Sequence, residues 1–137
     1  MSILVDTGPL VAYSVSNDKD HERVRAVLEA TGEQFLVPIT VIPEVCYLIE
    51  RQLGAHAEAR FLDSLAKGEL LVEPVTGSDL LRSAELVSQY ADNPIGFVDA
   101  SIVAMAERLN IATILTLDHR HFSAIRPRHV PAFELVP

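Results

Sequence analysis

The chain has 137 residues, 49% of them hydrophobic and 22% charged, with 19 acidic against 11 basic side chains, one cysteine and a net charge of −8. The length fits one domain spanning 1–137, at roughly 100–200 residues per domain, and the composition excludes disordered and collagen-like classes. One cysteine excludes an internal disulfide framework and a cysteine-built zinc site, and no apolar run nears the roughly 20 residues that span a bilayer.

Taken in chain order, Ile3-Leu4-Val5 is a short apolar run that ends in Asp6. The opening Met1-Ser2 lacks the basic start of a signal peptide, which predicts a cytoplasmic protein with no membrane partner. Pro9 sits where a helix begins after Thr7-Gly8. A helix is predicted from His21 to Ala30, with Val24, Val27 and Leu28 on one side and a stop at Gly32. Phe35-Leu36-Val37 is the next strand candidate. Thr40 is the expected cap of a helix running to Leu53, closed by Gly54, with Pro43 in its first turn. A second helix from Ala55 to Lys67 follows at once, which makes a helical hairpin. Leu70-Leu71-Val72 is a weaker strand, and Ser78 is the expected cap of a helix carrying Leu80, Ala84, Val87 and Ala91. Asn93-Pro94 marks the start of a helix reaching about Leu109. Ile114 to Leu117 forms another strand, ending in Asp118, and Phe133 to Val136 a last one. Alternating strands and helices predict an α/β fold: a three-layer α/β/α sandwich with a central, mostly parallel sheet, plus the helical hairpin. In such sheets ligands bind beyond the carboxyl ends of the strands, where Asp6 and Asp118 both fall.

Four acids therefore draw attention. Asp6 alone is read as a helix cap, but Asp118 at the same end of another strand shifts the balance. Asp99 lies on the apolar stripe of its helix, with Ile102, Val103 and Ala106 one and two turns on and no basic residue before Arg108. A carboxylate facing the core without a partner is costly. Glu44 sits in a first turn among Val41, Ile42, Val45 and Leu48, where the helix dipole favours negative charge. Carboxylates meeting at one sheet edge suit Mg²⁺ or Mn²⁺. A cation relieves their repulsion and reverses the local sign, so the overall acidity does not exclude a phosphodiester substrate.

Leu4-Val5-Asp6-Thr7-Gly8, Ile42-Pro43-Glu44-Val45, Val98-Asp99-Ala100-Ser101 with Ala104-Met105-Ala106-Glu107, and Leu115-Thr116-Leu117-Asp118 with Phe122 occur in this order. On these motifs the sequence resembles a PIN-domain ribonuclease, most closely a toxin of the VapC type from a toxin–antitoxin pair. The resemblance implies a metal-dependent endoribonuclease, with Asp6, Glu44, Asp99 and Asp118 catalytic and Asp6, Asp99 and Asp118 holding Mg²⁺ or Mn²⁺. It also implies an RNA substrate, an antitoxin partner and a homodimer. Two positions depart from the pattern: Gly96 and His121 stand where such toxins often carry acids. These departures keep open an alternative, a catalytically weak subunit that dimerises and binds an antitoxin.

Around the acids, Thr7 and Thr116 are candidate hydrogen-bond donors to the carboxylates. His119, Arg120, His121, Arg126, Arg128 and His129 form a basic stretch that suits phosphate or a solvated surface equally. Cys46, among apolar neighbours, is expected to be a buried thiol. Tyr47, Leu48, Phe61, Leu62 and Leu65 give the hairpin apolar surface for the core or for a partner. A haloacid-dehalogenase-type phosphatase needs a second aspartate where Gly8 stands. A response-regulator receiver needs a late lysine, and the only lysines are Lys19 and Lys67.

Overall fold

The structure, a computed structural model, describes residues 1–30 and 32–137. In chain order its elements are β1 (Ser2–Val5), α1 (Thr7–Ser14), α2 (His21–Leu28), β2 (Gln34–Pro38), a 3₁₀ turn (Ile39–Val41), α3 (Ile42–Leu53), α4 (Ala55–Ala66), β3 (Leu71–Glu73), α5 (Gly77–Gln89), α6 (Gly96–Leu109), β4 (Thr113–Leu115), α7 (His119–Ala124) and β5 (Glu134–Val136). All strand pairs are parallel, in the order β3-β2-β1-β4-β5. The chain winds outward from β1 through β2 to β3, then returns to the other side of β1 with β4. The reversal puts a topological switch point at the carboxyl ends of β1 and β4, where open α/β sheets bind their ligands.

The central strands are uncharged and buried on both faces: Leu4, Val5, Ile114 and Leu115 have no exposed surface. That requires helices on both sides. α3 packs against α1 and α4, α1 against α2, and α5 against α6. The outcome is the three-layer arrangement the alternation predicts, with α3 and α4 as the hairpin turning at Gly54 (φ +90°).

Several boundaries differ from the sequence expectation. β4 ends at Leu115, not Leu117, so Asp118 stands three residues beyond the strand, and α2 ends at Leu28, not Ala30. Thr40 does not cap α3; it lies in the 3₁₀ turn, and its Oγ1 pairs with Ser101 Oγ at 2.7 Å. Ser78 does not cap α5 either. Thr76 does, accepting from the Asp79 amide at 3.1 Å while Asp79 Oδ2 accepts from the Thr76 amide at 3.0 Å. That reciprocal box satisfies two free amide groups at once, where a lone hydroxyl satisfies one. α6 begins at Gly96, three residues beyond the Asn93-Pro94 signal, because the chain enters through a left-handed Gly96 (φ +72°).

The α5–α6 layer is pinned by ion pairs. Arg82 grips Glu107 with Nε–Oε1 at 2.7 Å and Nη2–Oε2 at 3.1 Å. Arg108 Nε lies 2.9 Å from Oδ1 of Asp79, a carboxylate only 1% exposed. Burial alone would raise the Asp79 pKa, but hydrogen bonds from Arg108 and Thr76 outweigh it and hold the carboxyl below its ordinary value.

Candidate functional site

Asp6 follows directly on β1 and caps α1. Its Oδ1 accepts from the Thr7 amide at 2.8 Å, and its Oδ2 accepts from the Thr116 hydroxyl at 2.8 Å. The same Thr116 oxygen accepts from the Asp118 amide at 3.0 Å. One fully buried hydroxyl beyond the end of β4 therefore orients Asp6 and the backbone of Asp118 together. Asp6 is buried, and burial pushes its pKa up; the Thr7 and Thr116 hydrogen bonds pull it back, while the charges of Glu44 and Asp118 push it up further. The two threonines divide their work. Thr116 donates through its side chain, whereas Thr7 donates through its backbone and leaves its buried Oγ1 without a hydrogen-bond partner.

Asp118 caps α7, with Oδ1 accepting from the His121 amide at 3.3 Å. Sequence reading did not place this short helix. Asp99 occupies the first turn of α6, not its interior, so the helix dipole offsets part of its charge. It does have a partner, and the partner comes from far along the chain. His121 Nδ1 stands 3.2 Å from Asp99 Oδ2 and 2.9 Å from Asp118 Oδ2. Asp99 is nonetheless pushed up to about 6. Burial is the main cause, the charges of Asp6 and Asp118 add to it, and His121 works against it.

Glu44 projects, exposed, from the first turn of α3. All four sequence-selected acids line one cleft together with Thr7, Gly96 and His121. They arrive from the ends of β1 and β4 and the first turns of α3 and α6, so the sheet edge is what gathers them. Helix α6 is tied to the 3₁₀ turn before α3 by the Thr40–Ser101 contact, which fixes the two helices' first turns relative to each other.

Hard carboxylate oxygens, a buried hydroxyl with no partner and the mutual repulsion among the acids fit a divalent cation. Among the described residues, no three of the His, Cys, Asp and Glu side chains converge tightly enough to hold an ion as they stand. Like charges oppose closer approach, and the His121 ring stands between two of the carboxylates.

The surroundings sort the remaining candidates. His119 and Arg120 are exposed beside Asp118. Arg128 is drawn onto the α5 face by Glu85 at 3.0 Å, and His129 Nε2 donates to the Ile111 carbonyl at 2.6 Å. Cys46 is buried, and burial raises its pKa. In the hairpin Phe61 is buried, while Tyr47 is 59% and Leu62 44% exposed. A cavity of about 370 Å³ lies between α1 and the hairpin, lined by Leu10, Tyr13, Ile49, Leu53, Ala57 and Phe61 among others.

Residues 3–126 match the PIN domain family. The chain is 34% identical to "Ribonuclease VapC26" of Mycobacterium tuberculosis over 135 residues, covering 98% of this chain and all of that protein. In fold it is similar to M. tuberculosis VapC20, described as a Sarcin-Ricin loop cleaving toxin, with a TM-score of 0.82 and 22% identity over 94% of this chain and 98% of the other. It is also similar to VapBC2 of Rickettsia felis bound to a DNA fragment from its promoter, with a TM-score of 0.71 and 18% identity over 98% and 97% of the two chains. With the acids of four separate segments on one switch-point cleft and a match over nearly the whole chain, the protein belongs to the PIN-domain family and, within it, to the VapC group.

Proposed function

We propose that this chain is a divalent-metal-dependent endoribonuclease, the toxin of a toxin–antitoxin pair. It acts in the cytoplasm as a single PIN-like domain over 1–137. The observation that carries the reading is the meeting of Asp6, Glu44, Asp99 and Asp118 on one cleft at the sheet's switch point. The ribonuclease name of its 34%-identical relative and the toxin–antitoxin structures of its fold support an RNA substrate and an antitoxin partner.

In this reading Asp6, Asp99 and Asp118 hold Mg²⁺ or Mn²⁺, which when bound supplies Lewis acidity toward the phosphodiester. Thr116 orients Asp6 by donating to Oδ2, a bond that favours the charged carboxylate against the effect of burial. Glu44, exposed at the rim, orients water entering the cleft. Arg120 offers a cationic group and His119 a ring N–H to the RNA backbone in a chain whose net charge of −8 otherwise repels it. The exposed hairpin surface around Tyr47 and Leu62 is offered to an antitoxin or to a second copy.

The test is cleavage of structured RNA with Mg²⁺ or Mn²⁺ by nuclease-free preparations of the wild type and Asp6→Asn. Loss of at least about 100-fold in rate, with the melting curve preserved, is expected. Equal cleavage by both proteins refutes the assignment. One observation favours the alternative of a catalytically weak, antitoxin-binding subunit: the His121 ring set against Asp99 and Asp118. Wild-type protein that binds antitoxin yet cuts no RNA at any metal concentration would establish it.

A further inference from the structure

Building on the nuclease reading above, we propose that His121 is itself a ligand of the divalent ion, which makes the site a carboxylate–imidazole site that takes Mn²⁺ in preference to Mg²⁺.

The Nδ1 atom of His121 faces Oδ2 of both Asp99 and Asp118, at 3.2 and 2.9 Å. Two ligands at right angles, each about 2.1 Å from an octahedral ion, are separated by about 3.0 Å. The nitrogen therefore stands from each oxygen at the separation of neighbouring ligands, though the three atoms do not converge on one point. The side chains have room to turn, being 48% exposed at His121 and 47% at Asp118. Asp118 Oδ1 accepts the His121 amide at 3.3 Å, which holds the two residues together in the first turn of α7.

An acidic cluster with a histidine is not enough to define an ion site, and Thr7 supplies separate support. Thr7 is 8% exposed and lines the same cleft, and its buried hydroxyl has no hydrogen-bond partner. A buried, unpaired hydroxyl is costly unless something enters to meet it. Water carried by an ion, or the ion itself, meets that need.

The choice of ion follows from the donor. Mg²⁺ prefers oxygen and gains little from imidazole, whereas Mn²⁺ accepts nitrogen donors more readily. Ligation puts the Nδ1 lone pair on the ion: a neutral ring moves its proton from Nδ1 to Nε2, and a protonated ring keeps Nε2–H and releases the Nδ1 proton to solvent.

The experiment is pulsed electron paramagnetic resonance on the full chain loaded with Mn²⁺ alone, together with calorimetric titrations of Mn²⁺ and Mg²⁺. Wild type is expected to show ¹⁴N coupling from a directly bound imidazole, replaced by the ¹⁵N pattern when the histidines are ¹⁵N-labelled. His121→Asn is expected to lose the coupling and at least about tenfold in Mn²⁺ affinity, with Mg²⁺ affinity changing less than about threefold. His119→Asn, at the exposed neighbour, is expected to retain the coupling. A histidine that only hydrogen-bonds the carboxylates would weaken binding without giving that coupling, so the spectrum separates the roles. Mn²⁺ bound with no histidine coupling, while RNA is still cut, overturns this inference and leaves the nuclease reading standing. Coupling that survives in His121→Asn overturns it equally. Failure of Mn²⁺ to bind wild type overturns both.

Discussion

Asp99→Asn in the absence of metal should make the protein more stable at alkaline pH while removing its activity. The substitution keeps the shape of the side chain and deletes its charge. That charge is crowded: burial comes first, Asp6 and Asp118 add repulsion, and His121 offsets only part, so the pKa stands at about 6 against an ordinary 3.8. The folded state thus holds the proton more tightly than the unfolded chain. The associated stability is fully present below pH 3.8 and is lost as pH rises through about 6. At about 1.4 kcal/mol per unit, the shift is worth about 3 kcal/mol before screening. Asp99 is only partly buried and shares its field with His121, so about half of that, about 1.5 kcal/mol, is a fair expectation. For a domain of this size, that corresponds to a rise of roughly 5 °C in Tm. Thermal melts with chelator at pH 8, 5 and 4 should show the gain at pH 8, about half of it at pH 5 and about a fifth at pH 4. Saturating Mn²⁺ should reverse the ranking, because only wild type gains the binding free energy, about 2.7 kcal/mol at a hundred times Kd. A stability difference independent of pH, or a loss that grows with pH, would refute the view that crowded charge strains this cleft.

Three further substitutions probe the frame around it. Thr116→Val removes the donor to Asp6 and the acceptor for the Asp118 amide; urea melts should show a loss of about 2–3 kcal/mol and RNA cleavage should fall roughly 10–100-fold, with Thr116→Ser restoring both. Arg108→Ala leaves the carboxylate of Asp79 buried and unpaired, at a cost of about 3–5 kcal/mol. Because the Asp79 pKa is lowered in the fold, its stabilisation exists above pH 3.8 and disappears as pH falls through the lower folded value, so an acid titration of this variant should lose that limb. Gly96→Ala meets open space but a φ of +72°, so denaturant melts should register a loss of about 1–2 kcal/mol from backbone strain alone.

Much of this fold was legible because its signals are local. Ile3-Leu4-Val5 and Ile114-Leu115 are short, uncharged runs that can only be strands buried on both faces, and each is closed by an acid within three residues. The hairpin announced itself through Gly54 and two apolar stripes. What stayed hidden depended on distance along the chain. Nothing near Asp99 announces His121, which reaches it only because α6 starts beside the end of β4. Helix α7 has six residues, too few for a periodic pattern, and its only local sign was Asp118 as a cap. Thr40 looks like a cap from its neighbours alone, but its hydroxyl is used by Ser101 across 61 residues. The α5 cap was recoverable: Thr76 with Asp79 three residues on is a reciprocal box, and Ser78 lacks that partner.

The ordinary reading of Asp6 and Asp118 as helix caps and the functional reading of them as site residues describe the same structure. In each, Oδ1 accepts a backbone amide of the helix that follows, Thr7 for Asp6 and His121 for Asp118. That bond fixes the plane of the carboxylate, and Oδ2 is thereby presented to the cleft, toward Thr116 in one case and the His121 ring in the other. A cap is thus the means by which a strand end holds a charged oxygen still without a second basic residue to grip it. It also explains why asparagine is the right probe at these two positions. Its carbonyl oxygen can keep the capping bond and hence the helix start, while the charge offered to an ion is gone. A chain that loses cleavage but keeps its melting curve after Asp6→Asn has separated the two uses of one side chain.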